Sequence, residues 1–175
     1  MEEHTWMPLV EPDDLPADLR AQWDATDRHG LRTFIQLMAH APDQFRRYNE
    51  TYAALRFDNQ LGARTTELVR IAVASTTQCQ VCMAGRHASA LADGMTEDMV
   101  EAIPDLRGAG YDEADDAAVT FARKLASDHH SIERADLDRL AEHFSPAQIV
   151  ELALLTVMCL VGRFSNVVGL TEDPL

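Results

Sequence analysis

The chain has 175 residues, of which 46% are hydrophobic and 6% aromatic, and its formal net charge is −14. This length suits one domain with a substantial core, and the hydrophobic content is too high for a disordered chain. The negative charge repels phosphate backbones and anionic lipid, so we expect neither a nucleic acid nor a membrane surface as a partner.

Residues 1–16 form a predicted N-terminal arm, which we expect to be irregular because prolines occupy positions 8, 12 and 16. In the remaining domain, residues 17–175, aromatic residues are scarce and apolar residues recur at helical spacing. The pattern predicts helices over residues 17–27, 31–40, 43–57, 63–77, 79–93, 112–127, 132–144 and 146–168, with a short helix that opens at Thr96. No strand pattern interrupts them, so the sequence predicts an all-α, single-domain fold.

The chain contains three cysteines, an odd and low count that does not fit a secreted disulfide framework. The N-terminus is acidic and lacks the apolar core of a signal peptide. The longest apolar run, residues 152–162, is shorter than the roughly 20 residues that span a bilayer. We therefore expect a cytoplasmic protein.

Cys79 and Cys82 form a C-x-x-C motif where a helix is predicted to begin. Such a motif can be a redox pair, half of a zinc site or two small buried residues. Zinc is disfavoured because no second C-x-x-C or H-x-x-x-H motif supplies further ligands, and Cys159 lies in an apolar helix where we expect a core residue. Free N–H groups at a helix start stabilise a thiolate, which favours the redox interpretation.

Three polar residues near this motif are candidates for a site: Glu67, Arg86 and His87. A turn near residue 78 would place Glu67 opposite residues near 87, because both flanking helices rise about 1.5 Å per residue. Arg86 follows Cys82 by four residues, so one continuous helix would place it beside that cysteine, whereas His87 would point elsewhere. Ordinary alternatives are a first-turn carboxylate on a solvated face for Glu67 and surface positions for the other two.

The spacing from Glu67 through Cys79-Gln80-Val81-Cys82 to Gly85-Arg86-His87-Ala88 resembles the AhpD-like, carboxymuconolactone decarboxylase family. Gly94, the segment from Glu151 to Asn166 and Gly169 extend the similarity to about residues 30–170. The resemblance implies an AhpD-like helical bundle that forms a homo-oligomer, a trimer or hexamer. For members that carry the cysteines, it implies reduction of hydroperoxides.

The resemblance also implies a role for each candidate residue. Cys82 matches the cysteine that attacks the peroxide, Cys79 the resolving cysteine, and Glu67 the acidic member of a proton relay. The relay's usual histidine falls at Arg86, with His87 next to it, and a second family histidine between the cysteines is a valine here. Arg86 can stabilise a thiolate but cannot transfer a proton, so Glu67 with water, or His87, would have to supply it.

The sequence therefore predicts a thiol-dependent, peroxidase-like oxidoreductase. Its substrate would be a hydroperoxide or another small molecule, its electron donor an external thiol, and neither a cofactor nor a metal is expected. Two alternatives remain open: a decarboxylase-type lyase that acts on a small lactone or acid, and a non-enzymatic, oligomeric thiol redox sensor. The apolar helix predicted over residues 146–168 favours a core position or a subunit interface independently of the resemblance.

Overall fold

The computed structural model describes residues 5–104 and 110–172. Within these residues the regular structure is helical and contains no strand, which confirms the all-α prediction. The helices are α1 (Ala17–Asp24), α2 (His29–Met38), α3 (Pro42–Phe57), α4 (Ala63–Thr77), α5 (Gln80–Met83), α6 (Ala88–Ala92), α7 (Glu97–Ala102), α8 (Glu113–Ser127), α9 (Arg134–His143), α10 (Pro146–Cys159) and α11 (Gly162–Val167).

Helix α4 lies at the centre of the fold. Its Leu68, Val69, Ile71 and Val73 side chains are fully buried, as expected for a helix that is surrounded by others. Val69 and Val73 pack with apolar side chains of α8 and α10, whereas Leu68 and Ile71 pack with those of α6 and α7. The two charged residues that are buried on this helix must therefore find partners inside the protein.

The N-terminal arm packs against the helical body along its described part. The Trp6 amide donates to the Val168 carbonyl at 3.1 Å. Met7 and Leu9 join an apolar cluster that also contains Cys79. Residues 1–4 of the predicted arm lie outside the described residues, and the described part contributes to the packing around a cysteine of the motif.

The prediction of one continuous helix over residues 79–93 is wrong, because residues 84–87 separate α5 from α6. In a continuous helix the carbonyl groups of Cys82 and Gly85 would accept from amides four residues later. Here both carbonyls accept from the Arg70 guanidinium instead, at 2.5 and 2.7 Å. A contact from another helix therefore ends α5 after four residues.

The helix predicted over residues 146–168 also divides, since α10 ends at Cys159 and α11 begins at Gly162. The Arg163 and Phe164 amides donate to carbonyls three residues earlier, both at 2.9 Å. This bonding is that of a tighter 3-10 turn, and it is typical where an α-helix ends. Gly162 consequently starts a new helix beside the cysteine pair.

The segment Pro146–Val167 is long and apolar enough to cross a membrane, judged by length and composition alone. It nevertheless contributes Leu152, Leu155 and Cys159 to the core that α4 and α8 share. Only 28% of its most apolar stretch is buried within the chain. The segment thus combines a core-facing side with a broad apolar face on the surface.

Candidate active site

The two cysteines of the motif lie at the start of α5, directly after the turn that ends α4. Gln78 closes α4 in the left-handed conformation, with φ of 56°, and the Cys79 amide then donates to the Ala74 carbonyl at 2.9 Å. The Cys82 amide donates to Cys79 Sγ at 3.3 Å, so Cys79 caps α5. The two sulfur atoms are bonded as a disulfide, with Cα atoms 5.3 Å apart. The pair therefore closes across one helical turn.

The two cysteines differ in their exposure. Cys79 is fully buried, in a cluster with Leu37 and Val168. Cys82 is half-buried and lines a cavity of about 510 Å³. A ligand in this cavity can thus reach the sulfur of Cys82, while Cys79 lies behind it.

Gly162 packs directly against the disulfide. A Cβ atom at this position would lie 2.8 Å from Cys79 Sγ and 2.9 Å from Cys82 Sγ, closer than Cβ atoms approach such neighbours. The turn between α10 and α11 therefore brings bare backbone to the redox pair. Gly162 lies in the segment that extends the family resemblance, but the sequence gives no sign of its contact with the cysteines.

Glu67 is 2% exposed and lies between two guanidinium groups. Its Oε1 accepts from Arg70 Nη2 at 2.8 Å, and its Oε2 accepts from Arg70 Nε at 2.9 Å and from Arg56 Nη2 at 2.8 Å. Burial raises the pKa of Glu67, but hydrogen bonds and charge from Arg70, together with the charge of Arg56, outweigh burial and lower the pKa to about 2. Glu67 is therefore an ionised acceptor near neutral pH, poorly suited to donate a proton.

The position of Glu67 agrees with the predicted hairpin geometry. Its Oε1 accepts from the His87 amide at 3.0 Å, so the turn near residue 78 does bring Glu67 opposite residue 87. Because the side chain is buried, the alternative of a first-turn carboxylate on a solvated face is wrong.

Arg70 and Arg56 were both missed by the sequence analysis. Arg70 follows Glu67 by three residues on α4, and this spacing is the local signal that could have indicated the pair. Arg56 comes from α3 and reaches Glu67 through the fold, so no local spacing indicates it. Through its bonds to the carbonyls of Cys82 and Gly85, Arg70 also fixes the chain that carries the exposed cysteine.

Arg86 is directed towards another carboxylate instead of sharing a helix face with Cys82. Its Nε and Nη2 atoms donate to Glu97 at 3.0 and 3.1 Å, and its Nη1 donates to the Met83 carbonyl at 2.5 Å. The prediction that one continuous helix places Arg86 beside Cys82 is therefore wrong. Arg86 still contributes to the cavity wall.

His87 is exposed and also lines the cavity. Its Nδ1 lies 2.6 Å from Ser89 Oγ and accepts from the Ser89 amide at 3.3 Å, so the ring caps α6. The ring centroid lies 4.6 Å from that of Phe57. These contacts hold the imidazole at the cavity wall.

The rest of the cavity wall is largely apolar. Cys159 belongs to it, and its Sγ lies 3.8 Å from the Tyr52 hydroxyl oxygen. Burial raises the pKa of Cys159 to about 11, so it stays a thiol near neutral pH and acts as the core residue that was predicted. The aromatic residues of the wall are Phe34, Phe45, Tyr48, Tyr52 and Phe57.

No set of three or more His, Cys, Asp or Glu side chains that could hold a metal ion occurs in the described parts of the chain. The groups that the structure brings to this site are the two sulfur atoms, the guanidinium groups of the wall and the exposed imidazole.

Comparison with known proteins identifies the family. Residues 42–127, which run from α3 through α8, match the model of the carboxymuconolactone decarboxylase family. The resemblance that the sequence indicated is thereby confirmed over this part of the chain. No protein of curated function matches the chain.

Solved structures share the whole fold. The AhpD core of an uncharacterized peroxidase-related protein from Ralstonia eutropha JMP134 superposes with a TM-score of 0.78 at 22% identity, covering 99% of this chain and 94% of that one. A peroxidase-related protein from Silicibacter sp. TM1040 gives 0.79 at 19% identity, with 98% and 93% covered. The debrominase Bmp8, in a variant complexed with 2,3,4-tribromopyrrole, gives 0.75 at 16% identity, with 99% and 92% covered. The fold is therefore that of AhpD-like helical proteins.

The buried ion pair predicts a specific dependence of stability on pH. Glu67→Gln leaves two guanidinium groups without their carboxylate, so we expect it to lower the free energy of unfolding by about 3–5 kcal/mol at pH 7. Because the folded pKa of about 2 lies below the ordinary 4.5, this stabilisation is complete above pH 4.5 and is lost as the pH falls towards 2. Urea unfolding of both proteins across this range measures the difference.

The matched control is Glu97→Gln, which removes the largely exposed partner of Arg86 and should cost no more than about 1 kcal/mol. A difference between wild type and Glu67→Gln that stayed constant from pH 7 down to pH 2.5 would contradict the lowered pKa.

Proposed function

We propose that the protein is a thiol-dependent oxidoreductase that reduces small organic hydroperoxides with the Cys79–Cys82 pair. The observation that carries this proposal is the difference between the two sulfurs: Cys82 lines the cavity, while Cys79 is buried and bonded behind it. Both a substrate and a resolving thiol can thus approach the same sulfur atom.

The reaction starts from the reduced pair. The Cys82 thiolate attacks one peroxide oxygen, the O–O bond breaks, and Cys82 becomes a sulfenic acid while the leaving alkoxide takes a proton and departs as an alcohol. The Cys79 thiol then attacks the Cys82 sulfur, which forms the disulfide and releases water. An external dithiol supplies two electrons and two protons by exchange and restores both thiols.

The charged groups of the site have separate tasks in this reaction. Arg70 carries a permanent positive charge, and its guanidinium group donates to the Cys82 carbonyl. It thus takes the role of stabilising the thiolate that the sequence suggested for Arg86. This positive charge favours the thiolate form of Cys82. Ionised Glu67 orients Arg70 and Arg56, while the exposed His87 imidazole on the cavity wall is the group assigned to deliver the proton to the alkoxide.

A second candidate reaction is reductive dehalogenation. Bmp8, a debrominase with a brominated pyrrole in its structure, shares this fold, and the cavity here has five aromatic side chains in its wall. The same dithiol pair could supply the two electrons that replace a carbon–bromine bond by a carbon–hydrogen bond, with release of bromide. Bromide release from tribromopyrrole, compared with consumption of peroxide, separates the two reactions.

Peroxide turnover depends on the two cysteines unequally. With dithiothreitol or dihydrolipoamide as donor, we expect the wild type to consume cumene hydroperoxide and Cys82→Ser to lose turnover, because the attacking sulfur is gone. After reduction and removal of the donor, Cys79→Ser should still react once per subunit and accumulate a sulfenic acid that dimedone traps. Cys159→Ser, which removes the buried third thiol, is the control and should stay near wild type.

Other outcomes would favour the other readings. Turnover of a small lactone or acid by a Cys79→Ala, Cys82→Ala variant would contradict the proposal and support a lyase. A disulfide that forms without peroxide turnover and changes the state of assembly would support a redox sensor.

We also propose that the chain forms a homo-oligomer through the surface of α10 and α11. Val150, Leu154 and Val157 on α10 and Phe164 and Val167 on α11 are between 41% and 69% exposed. A contiguous apolar surface of this kind is typical of a subunit interface. The family resemblance favours a trimer or hexamer.

Leu154→Glu places a charge in this surface, so we expect it to lower the mass of the assembly in sedimentation equilibrium by promoting dissociation. Leu137→Glu on α9, where the side chain is also 41% exposed, is the control and should leave the mass unchanged. A monomeric wild type, or an unchanged mass in Leu154→Glu, would contradict the proposed interface.

A further inference from the structure

The cavity is rich in positive charge although the chain as a whole carries −14. Four arginines line it: Arg28, Arg56, Arg70 and Arg86. Two of them have their own carboxylate, since Arg28 pairs with Glu172 at 2.9 Å and Arg86 pairs with Glu97 at 3.0 Å. These two pairs are electrically balanced.

The other two arginines share one carboxylate. Glu67 accepts from both Arg70 and Arg56, and it is the acidic residue that lines the described cavity. With Cys79 and Cys82 oxidised, as in this structure, Glu67, Arg70 and Arg56 thus leave one positive charge uncompensated at the cavity wall. Because these groups are largely removed from water, a charge there interacts more strongly with a ligand than one on the surface.

Arg56 is the member of this cluster with unused hydrogen-bonding capacity. Its Nη2 donates to Glu67, but its Nε is buried and has no hydrogen-bond partner among the described residues. Its guanidinium carbon lies 5.5 Å from the centre of the Tyr52 ring and 4.8 Å from that of Phe57. A buried donor without an acceptor is unfavourable, so Arg56 has hydrogen-bonding capacity that no described residue uses.

We infer that the cavity binds a small organic carboxylate, whose anionic group pairs with Arg56 and whose apolar body lies among the aromatic side chains of the wall. The volume of about 510 Å³ suits a ligand of one ring with a short substituent. This inference rests on the proposed function and narrows its substrate class to hydroperoxides that also carry a carboxylate.

The overall charge sharpens the expected selectivity. A chain with a net charge of −14 repels an anion at long range, so an acid binds here through the local guanidinium groups. A neutral analogue of the same shape gains the apolar contacts but not the charge-assisted hydrogen bond. Comparison of the two ligands therefore isolates the contribution of the cationic cluster.

Isothermal titration of 4-isopropylbenzoate and 4-isopropylbenzamide, at one fixed ionic strength, makes this comparison with unreactive probes. We expect the acid to bind the wild type about tenfold or more tightly than the amide. Arg56→Gln should abolish this preference. Arg47→Gln removes an exposed arginine from the same helix α3, changes the net charge equally and should retain the preference.

Equal affinities for the two probes, failure of the acid to bind at millimolar concentration, or a preference that survives Arg56→Gln would overturn the inference. If Arg56→Gln does not fold, the comparison of acid and amide on the wild type still decides. Protection of reduced Cys82 from iodoacetamide by the acid, but not by the amide, would place the probe in this cavity.

These outcomes are independent of catalysis because the probes contain no peroxide. A preference for the acid without any consumption of peroxide would reject the proposed reaction and retain the anion site. Consumption of cumene hydroperoxide without a preference for the acid would retain the proposed reaction and reject the anion site.

Discussion

The buried ion pair between Glu67 and Arg70 determines the arrangement of the site. Arg70 donates to Glu67 through Nε and Nη2, and it donates to the carbonyls of Cys82 and Gly85 through Nη1 and Nη2. A buried charge without such partners would be strongly destabilising. The same contacts that neutralise the charge therefore interrupt the helix and leave Cys82 at the cavity.

The site consequently separates the functions of its charged residues. Glu67 is held ionised, so it organises positive charge instead of moving protons. Because Glu67 neutralises only one of its two partners, Arg70 and Arg56, the cavity wall that Cys82 lines carries a positive charge. Gly162 packs against the two sulfur atoms, and because it has no side chain it leaves room for the disulfide.

Much of the fold follows from local sequence patterns. The bounds of α3, α4 and α8 lie within one or two residues of the predicted ranges. Apolar periodicity and capping depend only on residues within a few helical turns, so the sequence alone indicates these bounds. The approach of Glu67 to residue 87 was also predictable, since two helices joined by a turn advance at the same rise per residue. Family resemblance, in contrast, pointed to the cysteines more directly than periodicity did.

The interruptions of two predicted helices depend on contacts between residues far apart in the sequence. Arg70 lies twelve residues before Cys82 and captures its carbonyl, and the approach of Gly162 to the disulfide joins α11 to α5. The pairing of Arg56 with Glu67 likewise joins α3 to α4. Local propensity carries no information on such contacts. The sequence pattern alone therefore predicts Arg86 beside Cys82 and gives no sign that Arg70 binds the Cys82 carbonyl.

Alkylation of the fully reduced protein by iodoacetamide, followed by peptide mass analysis as a function of pH, tests the central claim most directly. The account predicts that Cys82 reacts first, because it lines the cavity, and that its pKa lies below the ordinary value of roughly 8.5, because the Arg70 guanidinium is bonded to its carbonyl. Cys79 and Cys159 should react slowly because both are buried. Preferential labelling of either buried cysteine, or an ordinary or raised pKa at Cys82, would contradict the account.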